Sequence, residues 1–447
     1  MVGRIPTGTR SARPAPWQNW AGTERCHPVH VARPGSVEGI AEAVRNAARD
    51  GFTVRPRGSG HSFTGVAATD GVAMDLGEWS GLVSAEGSTG LVTVRSGTPL
   101  HQLNSELDRL GLAMANLGDI DTQTVSGAIS TGTHGTGARL GGLATQVRGL
   151  ELVLADGSVV SCSPDERPEL FSAARVGLGA LGVISTVTLQ CVPSFVLHAR
   201  EYPGRLDEIL ERFDELTGSE DHVEFHWFPH GDRVLVKRNT RLPAGTAPEP
   251  MSRARRFYEY ELMENGAFGL VCRLGRAIPS TVPALNRMVA NLVSERSYSD
   301  VSHRVFTTPR RVRFVESEYA VPRESLHEVL REFRASMPTL KHPVIVPVEV
   351  RVAAADDIPL STAYGRDTAY IAIHQYLGMP YRDYFDRFES IVGAVGGRPH
   401  WGKMHTLRAE DLAERYPRFE DFRKVRAAVD PDGVFRNAYL DRVLGQP

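Results

Sequence analysis

The nineteen residues TVSGAISTGTHGTGARLGG, 124 to 142, constrain this chain more than any other stretch. Gly127, Gly132, Gly135, Gly137, Gly141 and Gly142 alternate there with Ser126, Ser130, Thr131, Thr133 and Thr136, a run too polar and too glycine-rich for ordinary core. Small hydroxyls between glycines can hydrogen-bond a diphosphate without crowding it. Further upstream, RPRGSGHSFT (Arg55 to Thr64) ends a strand in Gly58-Ser59-Gly60, where consecutive backbone N–H groups are free to converge on an anion. His61 follows at the tip. Two such loops in one domain point to one extended phosphate-bearing ligand rather than to two idle turns. A third pattern, GLGALG from Gly177 to Gly182, satisfies GxGxxG. It follows a helix and precedes a strand, the reverse of the order a Rossmann pyrophosphate site needs. It reads as a tight helix-to-strand connection, and a Rossmann-type nicotinamide site is excluded.

Around these loops, helix and strand signals alternate at short spacing. SVEGIAEAVRNAARDG predicts a helix capped by Ser36, with Ile40, Val44 and Ala47 on one face and Gly51 as its stop. TPLHQLNSELDRLG predicts a second, with Thr98 as cap, Pro99 at the first helical position and Leu100, Leu103, Leu107 and Leu110 as the apolar stripe. FTVRPRG, GVAMDL and GLVTVRSG read as flanking strands, and LELVLADGSVVSCS as a hairpin turning at Asp156-Gly157. The class is α+β, with a first boundary at Pro193. In PVIVPVEVRVAA, valines 344, 346, 348, 350 and 352 are expected on one strand face, with Glu349 and Arg351 on the other. In TAYIAIHQYLG, Tyr370, Ala372, His374 and Tyr376 share a face opposite Ile371 and Ile373.

Composition narrows the partners. With 51 basic and 53 acidic residues among 447, the net charge of −2 gives no overall field to attract nucleic acid or an anionic membrane. A small, weakly charged ligand fits better. Four scattered cysteines without CxxC or zinc spacing read as free thiols. No signal-peptide or membrane-length apolar run occurs, so a cytoplasmic location is expected, with residues 1–16 as a disordered tail. The histidines of HVEFHWFPHG lack a carboxylate at useful spacing, and no metal site is expected. HWGK, His400 to Lys403, sets a compact cation beside an aromatic and a glycine, suited to stabilising an anion that forms during reaction.

Taken in order, GSGHSFT, ANLGDIDTQTVSGAISTGTHGTG, the EVR strand, HWGK and the DPDGVF ending resemble the vanillyl-alcohol-oxidase-type FAD family, and within it the sugar-1,4-lactone oxidoreductases. The likeness runs from WQNWAG almost to the end of the chain. It implies a two-subdomain FAD-binding domain over 17–194, an α+β cap over 195–395 and a segment, 396–447, returning to the flavin. By the same likeness Arg57, Gly58, Ser59, Gly60 and Ser62 wrap the FAD pyrophosphate, and His61 takes the position that many members join to the flavin 8α carbon. Gly118, Ser126, Gly127, Thr131, Gly132, Thr133, His134, Gly135 and Gly137 match the second flavin-binding run, and Val183 and Ile184 the adenine side. Glu349, Arg351 and Lys403 match the active-site group, with Asp119, His374, Tyr376 and His400 as substrate contacts.

The implied reaction is oxidation of a gulono-, galactono- or arabinono-1,4-lactone at a secondary CHOH, by hydride transfer to flavin N5 and reoxidation by O2 or another acceptor. An alditol, oligosaccharide or nucleoside hydroxyl is the alternative substrate, and a flavin-binding module without turnover the alternative of another class. Two departures matter. No cysteine lies in the second glycine run, so a second covalent flavin link is not available. Asp119 stands where related sugar-alcohol oxidases often carry serine, which tilts the reading away from alditols, while Gly118 leaves the flavin edge unblocked to oxygen.

Overall fold

Ser36 starts the first helix, Val37–Arg49, because its hydroxyl accepts a hydrogen bond from the Gly39 N–H, and the buried stripe Ile40, Ala41, Val44 and Ala47 packs it onto a sheet. These positions belong to a computed structural model that describes residues 14–446. All but the last three residues of the expected tail therefore lie outside the described part. The second helix, Leu100–Arg109, differs from expectation at its start. Pro99 is itself the flanking cap, while the Thr98 hydroxyl donates to the Arg95 carbonyl and accepts from Gly81 N–H. The proline ring fixes the entry angle, so Thr98 is left to brace the preceding turn.

Three sheets carry the molecule. The first is a parallel set of His30–Ala32, Val72–Asp75 and Val54–Arg57. Beside it stands an antiparallel five-stranded sheet in the order Val159–Cys162, Val147–Val153, Val183–Gln190, Leu91–Arg95, Leu82–Glu86, whose first pair is the hairpin expected at Asp156-Gly157. The third is an antiparallel sheet of eight strands, in the order Arg296–Val301, Val196–Arg205, Arg233–Arg241, His222–Trp227, Val348–Ala353, Thr368–Tyr376, Phe314–Pro322, Arg398–Pro399. The fold is mixed α+β, with the two smaller sheets carrying the glycine loops and the eight-stranded sheet covered by helices on one face.

The eight-stranded sheet has two unlike faces. Val348, Val350, Val352, Ile371, Ile373, Tyr319 and Phe225 point into a core covered by the helices Leu326–Ser336 and Arg382–Ala394. The opposite face carries the charges described below. One expectation fails here. The EVR strand begins only at Val348, and Val346 turns instead toward the charged side and lines a chamber there, because Pro347 interrupts the strand pairing and its alternation. The arginine-rich end of PAGTAPEPMSRARR is helical at Arg253–Arg256, where it opens a longer helical run. The C-terminal helices Phe419–Val429 and Ala438–Leu444 pack on the core of the first region, not on the large sheet.

Candidate active site

Two cavities meet at His61, Ser62, Gln123 and Thr131. The first is a narrow cleft between the loops expected to bind a diphosphate. It is lined by Arg57, Gly58, Ser59, Gly60, Ser126, Gly127 and Ile184, and also by Gly177, Gly179 and Gly182. The GLGALG turn is thus both a helix-to-strand connection and a wall of the cleft. Gly60 adopts φ +74 at its tip, a left-handed backbone that glycine reaches without strain. Gly58 lies so close to the helix Val125–Ser130 that a Cβ there would meet Thr124 Oγ1 at 2.4 Å.

Arg55, which sequence reasoning passed over, holds this cleft from beneath. It is fully buried and donates to the carbonyls of Val66, Leu178, Gly179 and Phe435. One side chain thereby ties the first loop, the GLGALG turn and the C-terminal segment together. Burial pushes its guanidinium down to about 9, with Arg426 adding to the effect and Asp430 opposing it. Arg57, by contrast, lines the cleft with its buried Nη1 lacking a hydrogen-bond partner among the described residues. An unpaired buried guanidinium donor beside a glycine cradle fits an extended ligand with a diphosphate.

The second cavity is a chamber of about 1050 Å³. Its floor is the charged face of the eight-stranded sheet, where register alone sets neighbours: His226 opposes Glu349, Glu349 opposes Ala372, and His374 opposes Glu316. Arg351 donates from Nη2 to Glu349 Oε1 at 2.5 Å and from Nε to Glu224 Oε2 at 2.9 Å. Its Nη2 also lies 3.6 Å from Asp119 Oδ2, which takes a 2.7 Å bond from Arg310. Lys237 Nζ is 3.2 Å from Glu224, and His226 Nε2 is 3.3 Å from Glu349. On the far side Lys403 Nζ lies 2.5 Å from Glu316 Oε1, and His374 Nε2 lies 3.5 Å from the same oxygen.

Burial would push the Glu349 carboxyl up, but Arg351, His226 and Arg310 outweigh it and hold it well below the usual carboxylate range. Asp119 is lowered likewise by Arg351 and Arg310 against its burial. Burial works to discharge Lys403, and Glu316 and Glu318 reverse that, raising it. The His61 ring is lowered, first by burial and then by Lys403. The result is a pair of permanent cations, each fixed by buried anions.

Backbone stitching brings these groups to the cleft. Gly137 N–H donates to the Val352 carbonyl and His222 Nδ1 contacts the Thr136 carbonyl, so the second glycine run is clamped beside Arg351. Gly135 sits where a Cβ would meet Leu117 O at 2.2 Å. HWGK is held on both sides: His400 and Met404 N–H donate to the carbonyls of Glu318 and Glu316, and Phe63 N–H donates to Gly402 O. His134 stacks on Tyr370 at 3.5 Å and reaches Glu318 Oε1 at 3.1 Å.

Of the residues expected at the site, Gly118, Asp119, Thr133, His134, Glu349, Arg351, His374, His400 and Lys403 line the chamber. Tyr376 does not join them. It ends its strand against the Cys272 and Ile345 cluster, beneath the Arg276 guanidinium. Val183 is wholly buried with Ile40, Val44 and Val54 beneath the first helix, and Ile184 alone of that pair reaches the cleft. Gly132, Gly135 and Gly137 line neither cavity and act as backbone joints. Glu224, Lys237, Arg310, Glu316 and Glu318 went unnoticed in the sequence. Glu316 and Glu318 carried a signal, two carboxylates on one face of the otherwise apolar FVESEYAV, and Glu224 stands between His222 and His226 on one strand face, a carboxylate overlooked at that spacing. Two sets of metal-type ligands, Glu224, His226 and Glu349, and His134, Glu318 and His400, have donor atoms within 4.8 Å. Arg351, Lys237 and Lys403 already pair with or face their carboxylates.

An FAD-type cleft opening on a chamber of paired cations defines an FAD-dependent oxidoreductase. The comparisons agree with that geometry. Residues 28–163 match the FAD binding domain model and residues 187–443 the model of D-arabinono-1,4-lactone oxidase. The chain belongs to the D-arabinono-1,4-lactone oxidase family, within the vanillyl-alcohol-oxidase type. It is 44% identical over 429 residues to an L-gulono-1,4-lactone dehydrogenase of Mycobacterium tuberculosis, covering 96% of this chain and 99% of that one. It is 37% identical over 441 residues to an L-gulonolactone oxidase of Bos taurus, covering 96% and 98%. The crystal structure of a cholesterol oxidase from B. sterolicum superposes with a TM-score of 0.84 over 99% of this chain and all of that one, at 17% identity, a likeness of fold.

Proposed function

We propose that the protein oxidises a sugar-1,4-lactone of the gulono, galactono or arabinono type at a secondary CHOH, passing the electrons on to O2 or another acceptor. The observation that carries the reading is the pair of cations, Arg351 and Lys403, facing one chamber that opens to the cleft at His61. FAD, when bound, supplies the acceptor for the hydride that leaves the substrate carbon. Arg57, Gly58, Ser59, Gly60, Ser62, Ser126, Gly127 and Thr131 would hold it.

The chain's own residues do the rest. Glu224 and Glu349 occupy Nε and Nη2 of Arg351, which fixes the guanidinium plane and leaves Nη1 for the substrate oxygen. Lys403 spends one proton on Glu316 and keeps two for the oxygen that gains negative charge. Donors so placed in a water-poor site contribute about 2–4 kcal/mol each to lowering the barrier. His400 accepts from Gly402 N–H at Nδ1, and burial, with Lys403 and His134 adding and Glu318 opposing, pushes its ring down to about 4. Its neutral ring therefore carries the proton on Nε2, a donor for a sugar hydroxyl.

His61 is the proposed attachment point for the flavin 8α carbon. Supporting this, it stands at the junction of the cavities, its ring kept neutral by burial and steadied by Thr122 Oγ1 at 2.8 Å from Nε2. The division into an FAD-binding domain over 17–194, a cap over 195–395 and a returning segment over 396–447 belongs to the same reading. So does a cytoplasmic location, supported by four free, buried cysteines. No helix among the described residues is long and apolar enough to cross a membrane.

The test is anaerobic addition of L-gulono-, L-galactono- and D-arabinono-1,4-lactone to the yellow protein, with alditols as controls. Bleaching of the visible flavin band by a lactone supports the reading, and bleaching by alditols alone overturns it. Acid precipitation tests His61 separately: flavin stays in the pellet if the bond exists and leaves with the supernatant if it does not.

A further inference from the structure

The two nitrogens of the His61 ring stand in unlike surroundings. Nε2 lies 2.8 Å from Thr122 Oγ1, while Nδ1 has no hydrogen-bond partner among the described residues. Contacts on both sides keep the ring from exchanging the two. Trp20 stacks beside it, with ring centroids 5.8 Å apart and planes 30° apart. Trp20 N–H donates to the Gly60 carbonyl and Asn19 Nδ2 to the Ser62 carbonyl, which ties WQNW to the loop before and after the histidine. From the other side the Ser59 hydroxyl donates to the Thr122 carbonyl at 2.5 Å, fixing the backbone that carries the threonine. The Thr122 hydroxyl has no second hydrogen-bond partner among the described residues, and the residue is exposed.

We infer that Thr122 is the positioning residue for covalent attachment of the flavin: its hydroxyl holds the Nε2 proton of His61, so that the Nδ1 lone pair is the one that attacks the 8α carbon. This rests on the reading of His61 as the attachment point and deepens it. The chemistry asks for a partner that can reverse its role. Before the bond forms, a neutral imidazole carries one proton, and a hydroxyl accepting from Nε2–H leaves the lone pair on Nδ1. Once Nδ1 is bonded to carbon, the neutral ring offers only a lone pair at Nε2, and the same hydroxyl turns to donate to it. A carboxylate could serve only the first state and an ammonium only the second. In the step itself the Nδ1–C8α bond forms and one C8α–H bond breaks, its electron pair remaining on the flavin ring system. The C8α proton and the Nε2 proton leave to solvent, which reaches Thr122, and O2 then takes up the two electrons with two protons as H2O2. Burial first, and then Lys403, lower the His61 ring, which keeps the nucleophile neutral.

The experiment follows attachment in the full chain. Apoprotein of the parent, Thr122→Val and Thr122→Ser, made in riboflavin-starved cells, is mixed with FAD in air and sampled over time. Flavin in the acid-precipitated pellet reads the covalent fraction, and flavin in a desalted sample before acid reads the total bound. Thr122→Val should bind as much FAD as the parent while its covalent fraction grows at least about tenfold more slowly. Thr122→Ser, which keeps the hydroxyl, should stay within about threefold of the parent. In the flavin peptide cut from the parent, a nuclear Overhauser effect should connect the 8α methylene to the His61 β protons, as a bond at Nδ1 requires. Parent-like attachment in Thr122→Val, a Thr122→Ser as slow as Thr122→Val, or a bond at Nε2 each overturns the inference. So does a Thr122→Val that binds no FAD, since the threonine would then only shape the cleft. A colourless parent pellet overturns the reading of His61 and the inference with it. A yellow parent pellet with rapid attachment in Thr122→Val removes Thr122 alone.

Discussion

The cleft and the chamber share His61 but are built from opposite materials. Backbone, glycine and small hydroxyls make the cleft, with one buried arginine, Arg55, underneath. Long charged side chains from five neighbouring strands make the chamber floor. A surface of backbone donors is fixed once the chain is folded, and it suits a ligand that remains. A surface of mutually paired charges holds fixed cations against a group whose charge changes. If the contrast is real, damage to the chamber should cost turnover with flavin retained, and damage to the cleft should cost flavin with turnover per bound flavin retained.

The largest effect is expected for Arg351→Met. It removes a donor and strands Glu349 and Glu224 in a buried setting. Turnover should fall by about a thousandfold, and breaking the buried pair should destabilise the fold by about 3–5 kcal/mol. Steady-state kinetics and a denaturant titration check both halves. A variant with parent-like turnover would remove Arg351 from the reaction. Lys403→Met follows at roughly a hundredfold loss of turnover. Lys403 is held by Glu316 alone at hydrogen-bond distance, so its loss strands fewer partners, and the visible flavin spectrum should remain.

How much of this was legible in the sequence follows the same division. The cleft was readable because its residues are contiguous. Gly58 to Ser62 and Ser126 to Thr131 are short runs whose composition states their conformation. HWGK and EVR were found as isolated words, and the likeness to a family joined them. The charge network was not readable, because Glu224 meets Arg351 only through strand register across more than a hundred residues, and Glu316 meets His374 and Lys403 only once the strands and the HWGK segment have folded together. Tyr376 was misplaced for a related reason. Alternation along Thr368–Tyr376 gave it the correct face, but not the point at which the chamber ends. Arg55 was invisible because its acceptors are backbone carbonyls, which no side-chain pattern advertises.

Gly58→Ala probes the other half of the comparison. The added methyl carbon would fall 2.4 Å from Thr124 Oγ1, which itself accepts from Gly127 N–H at 3.2 Å to cap the helix Val125–Ser130. Either the loop or the cap must shift. On a His61→Ala background, in which no bond to the flavin can form, flavin affinity of apoprotein should weaken by roughly tenfold on adding Gly58→Ala, equivalent to about 1.4 kcal/mol, while turnover per bound flavin stays within about twofold of the His61→Ala protein. Fluorescence titration of released flavin reads the first quantity. Unchanged affinity with reduced turnover would dissolve the distinction between the two cavities.

The smallest effect is a pH dependence of stability that separates two histidines of the chamber. His400 is pushed down to about 4, by burial first, with Lys403 and His134 adding and Glu318 and Glu316 opposing. An unfolded imidazole titrates near ~6.5, so between ~6.5 and ~4 the unfolded chain binds a proton that the native ring refuses. The contribution of His400 is therefore complete above that window and is lost as pH falls through it. Glu316 and Glu349, lowered by their cations against burial, add further losses only below ~4.5. His374 has the opposite sign. Burial works to lower it, but Glu316 and Glu349 outweigh that and raise it, with Lys403 opposing. Its contribution is complete below ~6.5 and is lost as pH rises through its folded value. Thermal melts should therefore drop by a few degrees on the acid side in the parent and flatten there in His400→Gln. His374→Gln should flatten the neutral-to-alkaline side instead. Identical profiles for the two variants would mean that these rings titrate alike, and that the charge network does not divide the chamber as its geometry states.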